Sequence, residues 1–144
     1  MVKKYQVNGQ IKFINKMMRF MIRINIAPKG YYLLTVRGRK TGNPYSLPVA
    51  LIEHPESRWL VSPYGEVNWI KNARAAGEVK LSRGGKDKTL KIVPATPDEA
   101  APILKEYIQK EGIVRPYFDA QPDSPIEVFV AEAPQHPVFH VLEK

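Results

Sequence analysis

With 144 residues, 44% of them hydrophobic and 25% charged, the chain fits one globular domain with its own core, and wholesale disorder is excluded. Cysteine is absent, which excludes disulfides, thiolate metal centres and thiol catalysis, and no apolar run approaches the roughly 20 residues that cross a bilayer. The excess of 22 basic over 14 acidic residues, a net charge of +8, calls for an anionic partner, and with no signal-peptide pattern the expected location is cytoplasmic.

The first element expected is a helix over residues 11–24. On a wheel of about 100° per residue, Lys12, Lys16, Arg19 and Arg23 fall in a narrow basic stripe, and Phe13, Ile14, Met17, Met18, Phe20, Met21 and Ile22 fill a wide apolar face. Such a helix packs on a core with its cations solvated, rests on an anionic membrane surface, or walls a hydrophobic substrate pocket. Pro28 and Gly30 end it. The chain therefore divides into a basic amphipathic helix over residues 1–28 and a body over residues 29–144.

From Tyr31 the period changes. Tyr31 to Val36 reads as a buried strand, and a second runs from about Tyr45 to Ile52, with Pro48 marking an edge or a bulge. A turn at His54–Ser57 returns the chain as a third strand, Arg58–Ser62. Asn68 is placed to cap a short helix from Trp69 to Ala76, closed by Gly77. Glu78–Ser82 and Lys88–Val93 flank a Gly-containing hairpin loop. Thr96-Pro97-Asp98-Glu99 has the make-up of a capped helix start, and that helix should run to about Lys110. Residues 113–125 read as irregular, Ile126–Ala131 as a strand, and Val138–Leu142 as a last strand. The fold class is mainly β (α+β): a small antiparallel barrel with flanking helices.

Between the first two strands lies Arg37-Gly38-Arg39-Lys40-Thr41-Gly42, three cations, two glycines and a hydroxyl in six residues. This composition can cradle an anion through charge-assisted bonds and backbone N–H groups, or be a solvated hairpin loop. It lacks the spacing of a nucleotide-binding Gly-Lys-Thr loop. Aromatic residues are not interleaved with cations on one strand face, so nucleic acid is not an expected partner. His54, His136 and His140 read as loop or surface residues, no metal-ligand spacing is found, and no nucleophile motif is present. Any hard chemistry therefore belongs to a bound cofactor.

The ordered set Leu34-Thr35-Val36-Arg37-Gly38-Arg39-Lys40-Thr41-Gly42-Asn43-Pro44, a strand with Pro48, Leu60-Val61-Ser62-Pro63-Tyr64-Gly65, and Asn68-Trp69-Ile70-Lys71-Asn72-Ala73-Arg74-Ala75 followed by Val79 resembles the deazaflavin-dependent nitroreductase family. The resemblance spans about residues 30–95. It implies the split β-barrel shared with pyridoxamine-phosphate-oxidase-like flavoproteins and binding of coenzyme F420, a phosphorylated 8-hydroxy-5-deazaflavin with a polyglutamate tail. It implies further that Arg37, Arg39, Lys40 and Thr41 meet the cofactor phosphate, that Ser62, Gly65, Asn68 and Trp69 line the ring system, and that Gly42 and Pro48 are also cofactor-binding positions. Lys16 and Arg19 would face the anionic tail. Where family members often carry a cation or glycine after the third strand, this chain has Pro63 and Tyr64. Tyr64 and Tyr117 are the candidate hydrogen-bond donors to the reacting acceptor.

The resulting expectation is an oxidoreductase that passes a hydride from reduced deazaflavin to a quinone, enone or nitro compound. The alternatives are an FMN-dependent reductase of the same fold and a non-catalytic barrel that holds a cofactor or lipid. A homodimer and peripheral contact with an anionic membrane are the further partners considered.

Overall fold

The computed structural model describes residues 9–144. Its framework is a closed antiparallel barrel of six strands: β1 (Tyr31–Arg37), β2 (Pro44–Glu53), β3 (Arg58–Val61), β4 (Glu78–Arg83), β5 (Lys86–Pro94) and β6 (Val138–Leu142). They pair in the order β1-β2-β3-β6-β5-β4, and β4 returns to β1. Four helices surround it: α1 (Gly9–Arg23), α2 (Asn68–Ala76), α3 (Pro97–Lys110) and α4 (Ile126–Glu132).

Strand alternation sorts the apolar side chains into two cores. Leu51, Leu60 and Phe139 turn inward, with Leu34, Val36, Leu81 and Leu90, to fill the barrel. Their neighbours Ile52, Val61 and Val138 turn outward and meet Leu104, Ile108 and Phe129 of α3 and α4. Each fully buried Leu or Phe contributes about 1.5–3 kcal/mol relative to an exposed one, so both faces of β2, β3 and β6 are committed to burial.

Pro48 sits opposite Leu33 of β1, in the part of β2 that β3 does not reach, because β3 pairs only with Leu51–Glu53. The missing N–H therefore falls on a locally open edge, as the sequence suggested. On that edge Arg19 of α1 donates to the Ser46 carbonyl. The β4–β5 hairpin turns through Gly84 and Gly85 with φ of 58° and 79°, the positive pair that a two-residue turn of the right twist needs. Arg83 beside it ties down the segment between α1 and β1. Its Nε donates to Asn25 Oδ1 at 2.6 Å, and its Nη1 donates to the carbonyls of Pro28 and Tyr31 at 2.8 and 2.9 Å.

The helix start at Thr96 forms as its sequence predicts: Thr96 Oγ1 accepts from the Glu99 N–H and Glu99 returns the bond to the Thr96 N–H. Two local expectations are corrected. Residues 126–131 are not a strand but belong to α4. Their apolar, β-branched alternation suits a strand, yet Pro125 stands at the N-cap, Glu127 lies in the first turn, and helical geometry drives Phe129 to full burial beside α3. Asn68 does not cap α2. Val67 occupies the cap position without a side-chain bond, and backbone bonds from Val67 N–H to the Gly65 carbonyl and from Ile70 N–H to the Val67 carbonyl shape the entry instead.

Candidate functional site

The β1–β2 loop closes on itself. Gly38 N–H donates to the Asn43 carbonyl at 2.8 Å, Gly42 N–H to the Gly38 carbonyl at 2.9 Å, and Asn43 N–H to Thr41 Oγ1 at 3.2 Å. Gly38 is buried here, and a Cβ built on it would lie 2.7 Å from Tyr45 Cε2 and 3.1 Å from Thr41 Oγ1. Glycine lets the loop fold down against that ring without displacing it.

The folded loop stands over the first turns of α2. Between them is a cavity of about 400 Å³ lined by Gly38, Arg39, Lys40, Thr41, Tyr45, Asn68, Trp69 and Asn72. Two cations, a hydroxyl, two amides and two aromatic rings face one space. The link between loop and helix is Asn72, 7% exposed, whose Oδ1 accepts from both the Arg39 N–H at 3.2 Å and Arg39 Nη1 at 2.7 Å. One face of the guanidinium is thereby fixed, and its remaining donors are available to an anion.

Of the residues singled out in the sequence, Arg39, Lys40, Thr41, Asn68 and Trp69 come together in this cavity. Arg37 and Gly42 line a neighbouring one of about 530 Å³, with Ala76, Glu78 and Lys80. Pro48 lies further along β2. Ser62 is fully buried and its Oγ donates to the Gly65 carbonyl at 2.7 Å, so both shape the β3–α2 loop that delivers Asn68 and Trp69. Tyr64 and Tyr117 meet edge to face with ring centroids 4.8 Å apart, on the side of α3.

Two groups of residues escaped the sequence reading. Asn72 shares a helix face with Asn68 and Trp69 at offsets of four and three, a signal the spacing did carry. His136 is not a surface histidine: it is 3% exposed, and with Glu132, 4% exposed, it forms a buried pair with Nε2 and Oε2 at 2.7 Å. Elsewhere, Tyr107 and Tyr31 line a further cavity with Glu53 and Glu111. Burial pushes both phenols up, and at Tyr31 the Glu111 carboxylate that it bonds adds to the effect. No group of three or more possible metal ligands occurs among the described residues, and no described helix is long and apolar enough to cross a membrane.

The family model of F420H2-dependent quinone reductases matches residues 14–133. No curated protein matches the chain. Among solved structures, an F420-H2 dependent reductase superposes with a TM-score of 0.53 at 18% identity, over 78% of this chain and 94% of its own. A domain-swapped dimer superposes at 0.55 with 14% identity, over 92% and 99% of the two chains. A FAD-binding protein from Mesorhizobium loti reaches 0.50 at 11% identity, over 90% and 88%. At these identities the likeness is one of fold.

Proposed function

The chain belongs to the F420H2-dependent quinone reductase family, and from that membership we propose that its acceptor is a quinone, with enones and nitro compounds as weaker electron-poor substitutes. It is an oxidoreductase, and coenzyme F420 is its cofactor. The reduced deazaflavin, when bound, supplies the hydride.

The observation that carries the site assignment is the shared cavity of the β1–β2 loop and α2, whose donor set suits a phosphate beside a flat ring system. Arg39 and Lys40 bind the phosphate by charge, and Thr41 adds a hydroxyl donor. Trp69 and Asn68 hold the adjoining part of the cofactor. Arg37, on the neighbouring face of the loop, contributes field to an anionic tail. Tyr64 and Tyr117 are assigned to the acceptor side on the family resemblance, with their hydroxyls as donors to the oxygen that gains charge. Steady-state oxidation of F420H2 with menadione tests the acceptor. Saturable turnover, faster than with a nitroaromatic of similar size, supports the reading, and no turnover with any quinone overturns it.

A surface partner is also proposed. The first 52 residues hold ten Lys and Arg and no acidic residue, so the remainder is slightly acidic and the whole basic surplus sits at one end. On α1 and the turn that follows it, Phe13, Met17, Phe20 and Ile24 are 65, 47, 58 and 48% exposed in one row, beside exposed Lys12, Lys16 and Arg23. A cationic row against an apolar one suits an anionic bilayer. Co-sedimentation with vesicles containing phosphatidylglycerol, lost in Phe13→Ser/Phe20→Ser, supports it; equal sedimentation of both proteins removes it. The domain-swapped neighbour supports pairing of two copies, which sedimentation velocity reads directly.

A further inference from the structure

Glu132 and His136 lie one helical turn apart where α4 runs into β6, and between them they hold two otherwise separate segments of chain. The Pro63 carbonyl can only accept, so His136 Nδ1, 2.9 Å away, carries a proton and donates to it. Nε2 faces Glu132 Oε2 at 2.7 Å, a second hydrogen bond from the same ring. The carboxylate is engaged on both oxygens: Oε2 accepts from the Asp119 N–H at 3.0 Å and Oε1 from the Ala120 N–H at 2.7 Å. Phe118 stacks on the imidazole with centroids 3.7 Å apart, and Ser62 N–H donates to the Pro137 carbonyl at 2.9 Å just beyond it.

The residue after Pro63 is Tyr64, and the residue two before Asp119 is Tyr117. One end of the buried pair therefore fixes the backbone beside one tyrosine, and the other end fixes the backbone beside its partner. A buried ionisable pair is a costly way to join two loops if stability is all that is gained, because a well-packed apolar cluster serves as well. Its directional bonds do what apolar packing cannot: they set where two neighbouring side chains stand. We propose that Glu132 and His136 are positioning residues that hold the Tyr64–Tyr117 pair in register for the acceptor. This rests on the reading of that pair as the acceptor side.

Two variants of the full chain test it. His136→Phe keeps the ring stack and releases Pro63; Glu132→Gln keeps the volume, can still bond Ala120 and His136, and releases Asp119. With 3-fluorotyrosine incorporated, the ¹⁹F signals of Tyr64 and Tyr117 should shift or broaden in both variants while that of Tyr45, at the cation cavity, holds. F420 affinity should stay within about twofold of wild type, and kcat/KM for menadione should fall about tenfold or more, since displacements near 1 Å cost on the order of a hundredfold. Unmoved Tyr64 and Tyr117 signals in Glu132→Gln, the milder variant, overturn the proposal. Signals that move while kcat/KM does not support the positioning and overturn the acceptor-side role of the tyrosines.

Discussion

Asn72→Ala offers a sharp test of how the cation loop is built. In the folded chain Asn72 Oδ1 fixes Arg39 twice, through the backbone N–H at 3.2 Å and Nη1 at 2.7 Å. Without it the Arg39 side chain, otherwise exposed, regains rotamer freedom that binding must then remove, about 1.5–2 kcal/mol. At 1.4 kcal/mol per decade, F420 should bind about 10- to 30-fold more weakly. Arg39→Ala removes the charge-assisted bonds themselves, about 1.5–3 kcal/mol, or about 10- to 150-fold. Because the shorter of the two Asn72 bonds is to the Arg39 side chain and only the backbone bond survives Arg39→Ala, Asn72→Ala should cost clearly less in the Arg39→Ala background than in wild type, a non-additive cycle. Fluorescence titration of F420 against the four proteins measures it. Equal losses from Asn72→Ala in both backgrounds would instead make Asn72 a direct ligand.

Three further outcomes are expected. Gly38→Ala places a Cβ 2.7 Å from Tyr45 Cε2; since Tyr45 is 49% exposed its ring can swing aside, so F420 affinity should fall while Tm changes by less than about 4 °C. Thr96→Ala removes the reciprocal cap of α3 and should cost about 1 kcal/mol, lowering Tm by about 3–5 °C in calorimetry. Tyr107 stays protonated in the fold while the unfolded chain loses that proton near the ordinary tyrosine value of 10.0, so the folded state binds more protons and stability drops as pH rises above 10. Denaturant titrations from pH 8 to 12 should show this limb flattened in Tyr107→Phe by about 1.4 kcal/mol per pH unit, with parallel pH dependence of the two proteins below pH 9.

The strands were legible because their residues carry the signal locally. Tyr31–Val36 and Leu90/Ile92 show β-branching and alternation, and the outward half of the alternation only makes sense once α3 and α4 cover it. The cap at Thr96 was legible because all its chemistry lies within four residues. Residues 126–131 misled because their apolar alternation fits either period, and what decides for the helix is the seat for Phe129, formed by residues far away in sequence. The cation loop and the Trp-bearing helix were both visible as motifs, but their shared cavity and the Asn72 bond that joins them arise from packing of α2 against β1. The same holds for His136: its spacing to Glu132 is in the sequence, while the Pro63 carbonyl that explains it is 73 residues distant.

The proposed site places coenzyme F420 on the loop Arg39-Lys40-Thr41, seated on α2. The most direct measurement is quenching of F420 fluorescence by wild-type protein and by Arg39→Ala/Lys40→Ala, with an FMN titration run beside it. Wild type should bind F420 saturably, the double variant about 100-fold or more weakly, and FMN should show no comparable binding. Unchanged F420 affinity in the double variant, or FMN bound in preference to F420, would contradict that site.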